Sequence, residues 1–65
     1  MKKTTLNLIA KSVKFLDNSL WSLNRGTKEY DTVSESRQKL VEIIFENGYE
    51  LTTTYRLVKS KVKHS

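Results

Sequence analysis

The chain has 65 residues, no cysteine, no proline and a formal net charge of +5. That length allows one small domain, residues 1–65, and a domain of this size is marginal on hydrophobic burial alone. Without cysteine there is neither a disulfide nor a thiolate metal site to reinforce it, which leaves self-association or an efficient core. The basic groups are concentrated at the ends. Residues 51–65 carry Arg56, Lys59, Lys61 and Lys63 with no acid, and residues 1–19 carry four lysines against Asp17. Residues 20–50 instead hold six acids against four basic groups. Basic ends, with flexible stretches expected over 1–4 and 60–65, suit a polyanion or an acidic protein surface.

The first residues do not read as a secretion signal, because Asn7, Lys11 and Lys14 interrupt the apolar run after Lys2 and Lys3. No stretch approaches a membrane span. The expectation is a cytoplasmic protein with no membrane partner.

After Thr4 or Thr5, either able to cap a helix, Leu6, Ile9, Val13, Leu16, Leu20 and Leu23 recur at steps of three and four. They fall on one helical face, widened by Ala10 and Trp21. Leu8 and Phe15 fall on the opposite side, seven residues apart, as plain exposed side chains or as a second contact face for dimerisation or a partner. Asp17-Asn18-Ser19 favours caps and turns, so the helix is expected over 5–18 or over 5–24. In the shorter case Leu20 to Leu23 can form a short strand. Gly26 is available to end the longer one in the left-handed conformation. Tyr30 follows in the connection, as a flap over the core or a contact residue.

Thr32 and Glu35 have the spacing of a capping box, which predicts a second helix over 33–46. Val33, Leu40, Val41, Ile43, Ile44 and Phe45 form its apolar face. Arg37, Lys39, Glu42 and Glu46 read as solvated charges. The helix should stop at Asn47-Gly48.

Residues 49–58 then fit two patterns. Alternation of Tyr49, Leu51, Thr53, Tyr55 and Leu57 with more polar neighbours, and a threonine-rich composition, favour a strand over 49–58. Its pairing partner would be residues 19–24, residues 28–33, or the same strand of a second subunit. The expected fold is therefore small α+β, two helices and a C-terminal strand. In the alternative, Leu51, Tyr55, Val58 and Val62 step as a helix and the chain is a three-helix bundle. In that register Ile43 to Val58 resembles the helix-turn-helix pattern of bacterial repressors, with Gly48 at the turn and Thr53 to Val58 along the recognition helix. It departs from that pattern at Ile44 and Asn47, where small residues are usual, and at Thr54, where an apolar one is. Three consecutive threonines also lose side-chain freedom in a helix.

Catalytic chemistry has little to work with. His64 is the sole histidine, the two glycines lie twenty-two positions apart, and no nucleophile–base pair can be assembled. No enzyme activity, metal or cofactor is expected. Two classes of binding protein remain. The first is a small regulatory protein for DNA or RNA, a homodimer, with Thr52, Thr53 and Tyr55 near bases and Arg56, Lys59, Lys61 and Lys63 on phosphates. The second is a phage- or plasmid-type inhibitor or adaptor. It would contact an acidic host protein through Leu8, Phe15, Trp21 or Tyr30, or add its strand to a partner's sheet edge. An exposed Trp21 would favour the second.

Overall fold

The computed structural model describes residues 1–60 and has helix α1 at Lys3–Ser22, helix α2 at Lys28–Glu46, and strands β1 at Tyr49–Leu51 and β2 at Leu57–Lys59. Each element packs on the next, and β2 returns to α1, so the four surround a single core. This is the small α+β arrangement expected, with a hairpin where one strand was foreseen.

Helix α1 begins before either threonine. Lys2 is the N-cap and has no capping side chain; its carbonyl accepts the first helical bond from Leu6. The helix then runs through Asp17-Asn18-Ser19 without a break. Each of the three finds a use compatible with helix. Ser19 Oγ donates to the Phe15 carbonyl at 3.1 Å, Asn18 points to solvent, and Asp17 is engaged by two residues distant in sequence. Tertiary partners have outweighed the local preference for a turn.

Asn24 to Thr27 form a β-turn closed by the Thr27 N–H on the Asn24 carbonyl. Gly26 is its third residue at φ 86°, the positive value that a type II turn needs there. The turn delivers Thr27 as the N-cap of α2, with its hydroxyl oxygen accepting from the Tyr30 N–H at 3.2 Å. Glu29 and Asp31 in the first turn complement the helix dipole. The second helix thus starts five residues earlier than the capping-box spacing suggests. Thr32 is an interior residue whose hydroxyl donates to the Lys28 carbonyl, so the Thr32–Glu35 box is not formed.

Helix α2 ends as expected. The Asn47 side chain donates to the Ile43 carbonyl at 2.7 Å, and Gly48 follows at φ 85° with its N–H on the Phe45 carbonyl. Leu6, Ala10, Val13 and Ile44 are the fully buried residues among those described, and Leu40, Val41, Leu51 and Leu57 pack around them. Ile44 lies among the residues of the first half of α1, while Arg37 meets Asp17 nearer its end, so the helices run antiparallel.

Beyond Gly48 the chain is neither a single strand nor a helix. Residues 49–51 pair antiparallel with 57–59, Glu50 opposite Val58, so the strand finds its partner within its own segment. This excludes the helix-turn-helix alternative and the pairings with residues 19–24 or 28–33. The turn is made by Thr52 to Arg56. The Tyr55 N–H donates to the Thr52 carbonyl, the Thr52 N–H to the Arg56 carbonyl, and Tyr55 takes φ 62°. A three-residue hairpin loop requires a left-handed residue at this position, and glycine usually supplies it. Here a tyrosine does.

Candidate interaction surfaces

The clearest polar feature joins three elements at one point. Asp17, near the end of α1, accepts from Arg37 Nε of α2 on Oδ1 and from the Tyr55 hydroxyl on Oδ2 at 2.7 Å. Its side chain is 19% exposed and that of Arg37 37%, so the pair sits at the edge of the core instead of in water. Arg37 is therefore a structural partner, not the solvated charge its sequence position suggested. The bond to the carboxylate, with burial and the negative charge of Asp17 adding to it, raises the Tyr55 hydroxyl above its ordinary value of 10.0, while Arg37 acts in the opposite direction.

Residues singled out in the hairpin divide into two groups. Thr52 and Tyr55 are committed within the molecule. The Thr52 hydroxyl oxygen accepts from the N–H groups of Thr54 and Arg56 and so shapes the turn; Tyr55 fixes the tip to α1. Thr53, Arg56 and Lys59 are exposed and accessible. Lys61 and Lys63 lie outside the described residues.

The four apolar candidates also separate, into two surfaces. Leu8 is 60% exposed and Phe15 71%, both on the side of α1 turned away from the core. Trp21, which the apolar periodicity had joined to the core face, is 89% exposed. It sits on the flank of α1, at the rim of a hollow at the end of the molecule that holds the α1–α2 connection. Leu20, Leu23, Arg25 and the half-buried Tyr30 line this hollow, with Asp17 and Tyr55 at its inner side. Sequence reasoning named Trp21 and Tyr30 but not Leu20, Leu23 and Arg25. The two leucines belong to the core periodicity of α1, and Arg25 carries no local pattern, standing just before Gly26 in the connecting turn.

Charge is distributed unevenly over these surfaces. Helix α1 exposes Lys3, Lys11 and Lys14, and its one acid is held by Arg37 and Tyr55. The outer face of α2 exposes Asp31, Glu35, Glu42 and Glu46 interspersed with Lys28 and Lys39. Among the described residues no group of His, Asp and Glu is placed to hold a metal ion, and no helix is long and apolar enough to cross a membrane. In comparisons with known proteins the chain matches no family model, no curated protein and no solved structure.

Proposed function

We propose that the chain is a small non-catalytic binding module, an inhibitor or adaptor, that docks on another protein through the hollow at the α1–α2 connection with Trp21 as its anchor. The observation that carries this reading is the 89% exposure of Trp21 beside a concave surface to which Leu20, Leu23 and Tyr30 contribute. Tryptophan is the residue type most enriched among interface anchors, and anchors work where neighbouring groups exclude water. A buried aromatic removes about 150–250 Å² from water, which at about 25 cal/mol per Å² is about 4–6 kcal/mol before costs. Association itself costs roughly 4–15 kcal/mol. One tryptophan is therefore insufficient, and the apolar surfaces of Leu20, Leu23 and Tyr30 must be covered by the same partner.

The partner's chemistry follows from the rim. Arg25 lines the hollow, Lys14 lies seven residues before Trp21 on the same side of α1, and Asp17, the acid among the lining residues, is already occupied. An apolar pocket bordered by carboxylates is the complementary surface. Recovery of a protein from lysate at high salt by the natural chain, and its loss with Trp21→Ala, is the expected result. Equal recovery by both chains refutes the assignment of Trp21. The single tryptophan also provides a direct signal, because its emission should shift to shorter wavelength when the recovered partner is added.

A second reading rests on the hairpin. A two-stranded ribbon fits the DNA major groove, and this one exposes Arg56, Lys59 and Thr53 in a protein of net charge +5. In that case oligonucleotide binding would weaken steeply with salt, and the double variant Arg56→Ala, Lys59→Ala would lose it. Absence of binding even at low salt would dismiss this reading and leave the first untouched.

A further inference from the structure

The ladder between β1 and β2 leaves one edge of the ribbon unused. The Thr52 N–H donates to the Arg56 carbonyl and the Ser60 N–H to the Gly48 carbonyl, with Glu50 opposite Val58 between them. Bonded pairs of an antiparallel ladder alternate with non-bonded ones. Gly48, Glu50 and Thr52 therefore face β2, and Tyr49 and Leu51 turn their N–H and C=O groups the other way. Those groups have no hydrogen-bond partner among the described residues. On that side lies a hollow of about 570 Å³, lined by residues of both helices, β1 and the hairpin turn and by none of β2. Val13, Val41, Ile44 and Phe45 supply its apolar surface, and Arg37 stands at the end nearest the hairpin turn.

We infer that this groove takes an extended peptide segment, which lies beside β1 as a third, antiparallel strand with its side chains against α2. Three observations select this occupant. The unpaired groups recur at every second residue, the spacing at which an extended backbone presents its own donors and acceptors. The two walls match in length: Arg37 to Phe45 spans about 12 Å of helix and Tyr49 to Thr52 about 10 Å of chain, room for about four extended residues. The chemistry also changes along the groove. One end is apolar, while at the other Arg37 gives its Nε to Asp17 and has no further partner for its Nη groups among the described residues. Glu50, the acid on β1, alternates to the opposite face of the ribbon and accepts from the Ser60 hydroxyl. The segment that fits places apolar side chains opposite Tyr49 and Leu51 and a carboxylate at the hairpin end, where the Nη groups can hold it. The outer edge of β2 is less suited, because exposed Lys59 discourages a neighbouring strand.

Size sets the strength. A segment of this length covers well under the roughly 800 Å² per partner of a standard stable interface. Binding of the segment alone is therefore weak and reversible. The groove and the Trp21 hollow share Asp17 and Tyr55 but none of their apolar lining, so the two sites can be tested separately.

Amide NMR signals of the whole chain, followed during titration with end-blocked synthetic peptides to millimolar concentration, test the inference. The probes are Glu-Thr-Val-Thr-Val and its reverse, Val-Thr-Val-Thr-Glu. With the first, saturable shifts are expected at Tyr49, Leu51 and Thr53, together with slower hydrogen exchange at the Tyr49 and Leu51 amides. In this register the two valine nitrogens face β1 and the threonine nitrogens face away. Methylating the valine nitrogens should weaken binding about tenfold or more, and methylating the threonine nitrogens should change it little. Exchanging the Glu of the peptide for Gln should weaken it about two- to fivefold. Trp21→Ala should leave the titration as it is, so failure here and failure of the docking proposal are distinguishable. Binding of the reverse peptide alone would mean a parallel strand and would overturn the proposed arrangement. No shift with either peptide, or equal binding after methylation of the valines, would overturn strand addition at this groove. Shifts at Tyr49 and Leu51 that grow with protein concentration in the absence of peptide would give the edge to a second copy and overturn the proposed occupant.

Discussion

The Tyr55 hydroxyl and the Asp17 carboxylate meet at 2.7 Å across 38 positions of sequence. Because Asp17 also accepts from Arg37, one carboxylate fastens the hairpin tip and both helices together. Tyr55 reaches it from a left-handed backbone position, which a non-glycine residue occupies only where its surroundings compensate. The hydrogen bond to Asp17 and the packing of the ring against the core are that compensation.

This linkage has a pH signature. The folded chain holds the Tyr55 proton above its ordinary value of 10.0, so the contribution to stability is intact below that pH and is lost as pH rises through the higher folded value. Melting temperatures measured at about pH 9 and about pH 11 should fall more for the natural chain than for Tyr55→Phe. Equal falls would show that the bond does not matter to stability. Asp17→Ala should cost about 1–2 kcal/mol, with Arg37 free to hydrate, and should be non-additive with Tyr55→Phe.

The start of α2 offers a contrast between two threonines. Thr27→Ala removes the side-chain acceptor for the Tyr30 N–H and should cost about 1 kcal/mol. Thr32→Ala replaces an exposed interior residue with a better helix former and should be neutral or slightly stabilising. Urea unfolding of both variants checks the pair, and the reverse order would restore the cap to Thr32.

Gly48 sits at φ 85° with open space where a Cβ would stand. Substitution is therefore limited by the backbone and not by a clash. Gly48→Ala should cost about 1–2 kcal/mol and Gly48→Asn less, because asparagine tolerates the left-handed region better. Thermal melts of the two variants give the comparison directly.

With only four fully buried side chains among the described residues, the core has little reserve. Ile44→Ala should cost about 2–5 kcal/mol, a large share of the stability expected for a small domain. Loss of cooperative unfolding in that variant is the expected observation. A melt within a few degrees of the natural chain would mean that the core relaxes around the gap.

The residues that proved easiest to read were those whose neighbours in space are also neighbours in a helical repeat. Leu6, Val13 and Ile44 were expected in the core and are there; Leu8 and Phe15 were expected on the opposite side and are there. Asp17 was misleading because its partners stand 20 and 38 positions away, and no local pattern contains them. Thr32 was misleading because a capping-box spacing can occur inside a helix when a better start lies upstream. The hairpin was hidden for a chemical reason. Its turn has no glycine, asparagine or proline, and its threonines and tyrosine have strand-like preferences throughout. Of the candidate surfaces, the anchors Trp21 and Tyr30 were legible as residue types. The hollow that gathers them with Leu20, Leu23 and Arg25 depends on the antiparallel meeting of the helices.

A hairpin whose turn lacks intrinsic turn-formers has no reason to close by itself. Here its tip is fastened through Tyr55 to Asp17, which Arg37 of the second helix also holds, so its closure is expected to depend on the paired helices. The ribbon is thus a dependent element, and its order reports the order of the whole. Amides at Glu50 and Val58 should exchange their hydrogens by global unfolding and not by local opening, and a peptide of residues 49–60 alone should be unstructured.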